Sequence, residues 1–389
     1  MKPGVALVAG GGIGGISAAL ALGRHGWHCR ILERRPEASE AGAGIQIGPN
    51  GMRILERLGV RDALAPLSSA PNSVQLRDGR SGELLSSLPL GDWIAKRHSA
   101  PYCTVHRADL HAALSERLGT LANADLIHSF EIAGVETTAT GVTVQTSDGQ
   151  TATGDILIGA DGIYSAVRRV TFGDFPRTAT GRIAARSVVA VNDAKTDVLK
   201  SHVGVWLASG AHVVHYPVRG GAEIALVVVT QGSTRLEGWN TAIDASAVLN
   251  SVSSLAPELL SLLAQAPAWR QWTLTSAPEL PTWSKDRTVL LGDATQAILP
   301  FLAQGAVMAL EDAEALSCAL DQHASINEAF ASYELARRNR KRKVQAAAAR
   351  NGWIYHLSGS LALARNITLR TMPGSTMMAS LDWLYGHRP

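Results

Sequence analysis

The chain has 389 residues, 46% of them apolar and 18% charged, and carries a formal net charge of +3. This is an ordinary composition for a folded soluble protein, and the length exceeds what one hydrophobic core usually serves, so two lobes are expected. Three cysteines, Cys29, Cys103 and Cys318, are odd in number and lack metal-ligand spacing, which argues against a disulfide framework or a zinc site and fits a reducing, cytoplasmic setting.

The first residues, MKPGVALVAGGGIGGISAALALG, hold one lysine and an apolar run that glycines interrupt, unlike a signal peptide. No apolar run nears the ~20 residues that span a bilayer, so no membrane partner is expected. Residues 5–9 read as a buried strand, 16–25 as a helix and 29–32 as a second strand closed by Glu33. Between the first two lies G-x-G-x-x-G, with Gly10 for a tight turn, Gly12 for close backbone approach to a pyrophosphate, and Gly15 for helix–strand packing. The helix N-terminus favours phosphate, and Glu33 can bond ribose hydroxyls. The pattern predicts a Rossmann-type dinucleotide site drawing on Gly10, Gly12, Ile13, Gly14, Gly15, Glu33 and Arg34.

Residues 72–90, NSVQLRDGRSGELLSSLPL, read as a hairpin turning at Asp78-Gly79. The strand 155–158 runs into Gly159-Ala160-Asp161-Gly162 and a helix with Arg168, and TVLLGDA repeats the design at Gly292-Asp293 about 130 residues later. Each alone is readable as a turn whose Asp caps a helix; together they suggest two further contacts to one nucleotide ligand. HVVHYPVRGGAEIALVVVT reads as two strands joined at Gly220-Gly221. With period two, His212, Val214 and Tyr216 share one face, while Val213, His215 and Pro217 take the other. Pattern alone favours His212 as a structural histidine and Tyr216 as a core aromatic.

The basic run Arg337, Arg338, Arg340, Lys341, Arg342 and Lys343 sets the sign of the net charge, since without its six charges the balance is −3. It lies in a helical stretch and reads as a solvated face; without interleaved aromatics it is no nucleic-acid patch. Residues 346–389 read as helical, then irregular around Pro373-Gly374.

These residues resemble the single-component (group A) FAD-dependent aromatic hydroxylases over nearly the whole chain. The likeness rests on Gly10-Gly12-Gly15 with Glu33, HRADL with Arg107, GADG at 159–162, GDA at 292–294 with Pro300 and Gly305, Tyr333 and Arg337, and DWLYG at 382–386. GAGIQIGPNGMR (42–53), LPLGDW with PYCTVHRADLH, and HVVHYPVRGG bring it closest to the salicylate, 3-hydroxybenzoate and 6-hydroxynicotinate hydroxylases.

The resemblance implies an α/β fold with a Rossmann-type FAD lobe of the para-hydroxybenzoate-hydroxylase type, a β-sheet substrate lobe and C-terminal helices. The expected lobes are 1–70, 101–170 and 281–345 for FAD, 71–100 and 171–280 for substrate, and 346–389 as a helical segment. It implies FAD as cofactor, NADH or NADPH as reductant, O2 as co-substrate and a flavin C4a-hydroperoxide, an electrophile that a phenolate attacks. Arg107, Asp161, Gly292, Asp293, Pro300, Gly305 and Ala306 would complete the cofactor site. His212 would accept the phenolic proton, near its ordinary pKa of ~6.5, with Tyr216 as its catalytic companion.

Gln46, Arg186 and Phe301 are candidate substrate contacts. Gln46 is equally readable as a loop ligand, Arg186 as a surface or lobe-interface arginine and Phe301 as plain core. Gln296 stands where the family has a histidine and cannot titrate. Ala185 and Ala225 would enlarge the pocket or make it more apolar, which keeps a larger bicyclic substrate open as an alternative. A flavin-binding redox protein without turnover is the other. A small aromatic molecule is the expected partner, and a homodimer is left open.

Overall fold

A computed structural model describes residues 2–37, 44–191, 198–232 and 240–389. Gly42 and Ala43 of the GAGIQIG stretch lie outside them. In chain order the elements that position the site are β1 (Val5–Ala9), α1 (Ile13–Gly23), β2 (His28–Leu32), β3 (Gly44–Ile47), β4 (Ser73–Asp78), β5 (Leu84–Pro89), β6 (Cys103–His106), α2 (Arg107–Gly119), β7 (Ala124–Ile127), β8 (Ile156–Gly159) and α3 (Ala166–Phe172). They continue with β9 (Thr178–Ala190), β10 (His202–Ala208), β11 (Ala211–Val218), β12 (Glu223–Gln231), α4 (Ala245–Ser251), α5 (Pro257–Leu263), β13 (Trp269–Ser276), β14 (Thr288–Leu290), α6 (Gly305–Gln322), α7 (Ile326–Tyr355) and α8 (Gly359–Thr371).

The first sheet has the order Ser284–Lys285, β14, β8, β1, β2, β7, and all its pairings are parallel except the one to the short edge strand. Its central strands β1 and β8 are buried on both faces, as parallel strands between helices must be. Their C-terminal ends carry the glycine turns, where open α/β sheets bind ligands. α1 starts at Ile13, inside the glycine motif and three residues earlier than the apolar pattern suggests.

The second sheet has eight strands, Thr241–Ile243, β13, β9, β12, β11, β10, β4, β5. The hairpin 72–90 supplies β4 and β5, and the two strands meeting at Gly220-Gly221 are β11 and β12. One face is covered by α4 and α5 through Ala185, Val213, Leu226, Val228 and Trp269. The opposite face carries Ala184, Trp272 and Val229, which pack with Phe301.

α7 opens with a capping box between Ser325 and Glu328 and runs unbroken for 30 residues, straight through the expected boundary at 345/346. The tail is also more regular than expected, because Pro373 precedes a further short helix, Gly374–Ala379. The basic run is not a solvated face. Arg337, Arg340 and Lys341 are buried, and the first two pair with Glu311 of α6, Arg337 and Lys341 with Asp312. Arg338 and Arg342 hold Glu279. Buried charge survives only when paired, so this helix is basic because α6 presents acids to it. Among the described residues no helix is long and apolar enough to cross a membrane.

Candidate active site

The turn after β1 needs its three glycines for three different reasons. Gly10 has φ +99°, a region L side chains rarely adopt. A Cβ on Gly15 would lie 1.9 Å from the Gly10 carbonyl oxygen, so α1 could not seat against the strand. A Cβ on Gly12 would meet nothing within 4 Å; that side of the backbone opens outward. The turn is braced from behind, as Gly11 donates its N–H to Glu33 Oε2 at 2.7 Å and its carbonyl bonds His111 Nε2 at 2.7 Å. His111 was not singled out from sequence; it sits one turn along α2 from Arg107.

Gly10, Gly11, Gly12, Glu33 and His111 line a cavity of about 770 Å³ together with Ile13, Gly14, Arg34, Arg107, Asp161, Gly292, Asp293, Gly305 and Ala306, while Gly15 is buried behind its wall. Glu33 spends two lone pairs on Gly11 and Arg35 N–H groups, which leaves capacity for ribose hydroxyls. Asp161 does cap α3, by accepting from Val167 N–H through Oδ2. Its Oδ1 is nevertheless buried without a partner, and burial raises its pKa. An orphaned acceptor, open backbone at Gly12 and Gly305, and two arginines fit the polar nucleotide half of FAD.

The turn after β14 is held by groups the sequence did not reveal. Gly292 donates to Asp312 Oδ2 at 2.9 Å, and Lys341 Nζ donates to Gly292 O at 2.8 Å and Thr295 Oγ1 at 2.5 Å. Arg337 completes the brace by gripping Asp312 and Glu311. Glu311 in turn accepts from Asn50, which also bonds Gln304 at the N-cap of α6. Gln296 is buried beside this turn. Pro300 opens a short 3-10 turn, and Gly305 starts α6 with nothing within 4 Å of where its Cβ would be. The positive end of α6 therefore faces the cavity through Gly305 and Ala306.

His212, Tyr216, Arg186, Gln46 and Phe301 lie outside this cavity; Gln46 stands on β3, paired with β6 in a separate three-stranded sheet, and the other four lie on or against the inner face of the second sheet. The alternation along β11 places His212 opposite Val229 and Tyr216 opposite Ala225 of β12. Val229 in turn pairs Ala184 of β9, and Val227 pairs Arg186. His212 is buried, with Phe301, Tyr355 and His356 ring centroids at 5.6, 5.3 and 4.9 Å. Burial, His356 and Arg182 hold its pKa well below the ordinary 6.5, so it is a neutral acceptor rather than a half-protonated one. Burial pushes the Tyr216 phenol up to about 12, and its hydroxyl donates to Gly44 O at 2.8 Å. Tyr216 can shape the pocket but does not take a proton.

Arg186 is no surface arginine. Its guanidinium lies 3.9 Å from the Trp272 ring centroid, its Nε is buried without a partner, and burial lowers its pKa to about 10, so it stays charged at neutral pH. Gln46 accepts the Tyr102 hydroxyl at 2.5 Å. Phe301 is both core and neighbour to His212. Ala185 belongs to the opposite face, packed under α4 and α5, so it leaves the pocket unchanged; Ala184 is the small residue on the inner face. Ala225 does face inward, against Tyr216 and the Cβ position of Gly44. Tyr102, Tyr355 and His356 were missed in the sequence, each sitting at an element end without periodic signal.

The chain matches the family described as FAD binding domain over residues 4–348. It is 34% identical over 383 residues to a 3-hydroxybenzoate 6-hydroxylase of Klebsiella oxytoca, covering 98% of this chain and 96% of that one. It is 36% identical over 362 residues to a 6-hydroxynicotinate 3-monooxygenase of Pseudomonas fluorescens, covering 91% and 92%. Among solved structures, HpxO of Klebsiella pneumoniae complexed with FAD and uric acid superposes with a TM-score of 0.87 at 26% identity, covering 97% and 95%. The protein thus belongs to this FAD-binding family and is an FAD-dependent monooxygenase of the aromatic-hydroxylase type.

Proposed function

We propose that the protein uses NADH or NADPH and O2 to hydroxylate a small phenolic or heteroaromatic ring that carries a carboxylate, with His212 as the base and Arg186 as the carboxylate anchor. The observation that carries this is the pairing, on one face of one sheet, of a neutral buried imidazole with a charged guanidinium whose Nε lacks a partner. A half-buried guanidinium that rests on the Trp272 ring, with a buried Nε lacking a partner, is set to receive an anion, and the ring carboxylate is that anion. The relatives' names support the class, since hydroxybenzoate and hydroxynicotinate each place a hydroxyl and a carboxylate on one ring.

Bound FAD, once reduced and supplied with O2, provides the electrophilic oxygen; Gly12, Glu33, Arg107, Asp161, Asp293 and Gly305 would hold it. The chain's own work is to exclude water with Phe301 and Tyr355, orient the ring between β9 and β11, and take the hydroxyl proton at His212 Nε2. The two lobes foreseen in the sequence then have separate tasks, and a cytoplasmic location follows from the same reading. A bicyclic substrate is the second reading, supported by the small Ala184 and Ala225 on the inner face.

The test is NADH and NADPH oxidation by the FAD-loaded protein with O2 uptake and peroxide release followed together. The panel is salicylate, 3-hydroxybenzoate, 6-hydroxynicotinate and a bicyclic phenol. A carboxylated ring that stimulates oxidation with little peroxide supports the first reading. Stimulation by the bicyclic compound alone transfers support to the second. Stimulation by none removes both and favours a redox protein without turnover.

A further inference from the structure

His356 is the first residue beyond α7, and its ring closes against that helix's last turn. Its Nδ1 lies 2.5 Å from the Gly352 carbonyl oxygen. Gly352 is itself pressed on Phe301, since a Cβ there would come within 2.6 Å of that ring. A carbonyl oxygen only accepts, so His356 Nδ1 carries the hydrogen and, in the neutral ring, Nε2 is bare. That bare Nε2 is 2.9 Å from His212 Nδ1. One of the two must donate, so His212 carries its hydrogen on Nδ1 and keeps the lone pair on Nε2. Both rings are neutral near pH 7, because burial and Arg182 hold His212 well below its ordinary pKa and His356 at about 4. The groups around the pair are Arg182 of β9, Arg365 of α8 and Tyr355 of α7, and the two arginines oppose protonation of His356.

We infer that His356 is a positioning residue for the reaction, locking His212 in the tautomer whose Nε2 can take the substrate's hydroxyl proton and receiving the Nδ1 proton in turn. The inference rests on the reading of His212 as the base. In the step, the substrate O–H bond breaks and its electron pair stays on oxygen as an Nε2–H bond forms on His212. The His212 Nδ1–H bond breaks as an Nε2–H bond forms on His356. The imidazolium so made is on the more exposed of the two rings, from which solvent takes the proton.

The test joins ring-nitrogen NMR of 15N-histidine-labelled, FAD-loaded protein with steady-state kinetics on the best substrate of the panel. In the native protein His212 should show a protonated Nδ1 and a bare Nε2. His356→Phe should lose that tautomer preference and lower kcat about tenfold or more with KM within about twofold. His356→Asn, whose Oδ1 accepts but takes no proton, should keep the tautomer and restore part of kcat. FAD absorbance and unfolding temperature confirm that each variant folds. A native Nε2–H tautomer, or one unmoved by His356→Phe, overturns the inference. If His356→Phe shifts the tautomer without changing kcat while His212→Ala abolishes turnover, the catalytic part falls and the base reading stands. If His212→Ala is silent too, the base reading falls with it.

Discussion

Two glycines of one motif make a quantitative test of where FAD lies. Gly12 has φ −80° and ψ −178°, which alanine adopts freely, and its Cβ would meet no protein atom within 4 Å. In apoprotein Gly12→Ala should therefore be neutral or stabilising by about 0.4–1 kcal/mol, through the lost entropy of the unfolded chain. If the ligand's phosphates rest on that backbone, the same methyl overpacks the holoprotein by about 1–3 kcal/mol, which weakens FAD binding roughly five- to 150-fold. Gly15→Ala is the contrast. Its Cβ sits 1.9 Å from a backbone oxygen, so helix or strand must move by more than an ångström, and both apo stability and FAD affinity should fall. The assay is unfolding temperature of stripped protein beside FAD titration by flavin fluorescence. Unchanged FAD affinity in Gly12→Ala would refute the reasoning, because the open space would then not be ligand space.

Other expectations follow from the same geometry. Gly305→Ala should behave like Gly12→Ala, with apo stability kept and the flavin signal perturbed, as seen in absorbance and FAD titration. Arg186→Met should raise KM for a carboxylated ring by roughly ten- to 150-fold, the loss of one charge-assisted hydrogen bond of about 1.5–3 kcal/mol, and leave a ring without carboxylate nearly unaffected. Because His212 titrates well below 6.5, kcat should show no His212 limb between pH 6 and 8, and an activity loss in that window would contradict its buried, neutral state. Arg337→Leu takes one of two cations from each of Glu311 and Asp312, leaving Arg340 and Lys341, and should cost up to about 3–5 kcal/mol in denaturant unfolding. Glu311 is held down at about 2, so its stabilising share is present above pH ~4.3 and is lost as pH falls through that depressed value; acid unfolding should report this, and in Arg337→Leu, where Arg340 alone holds Glu311, the step should shrink and move to higher pH.

What could be read from the sequence was whatever a short stretch decides alone. The positive φ at Gly10 and the close packing at Gly15 are local consequences of strand-turn-helix geometry, so the spacing announces them. The two-residue period of β11 likewise put His212 and Tyr216 on one face without knowledge of the rest of the sheet. The reading of Ala185 came from the resemblance and not from a period, and it failed: β9 keeps its register from Arg182 to Ala190, so Ala184 and Arg186 share the inner face with Val229 and Val227, and Ala185 takes the other. The basic run failed for a different reason. Whether Lys341 meets water or a buried aspartate depends on Asp312, 29 positions earlier on another helix, and no periodicity within α7 carries that information. His356 is the sharpest case. A histidine one residue past a helix end has no pattern to mark it, yet the Gly352 carbonyl fixes its tautomer and thereby that of His212, 144 positions away. The chemistry of the candidate base is thus set by a contact between two elements, each of which reads in isolation as structural.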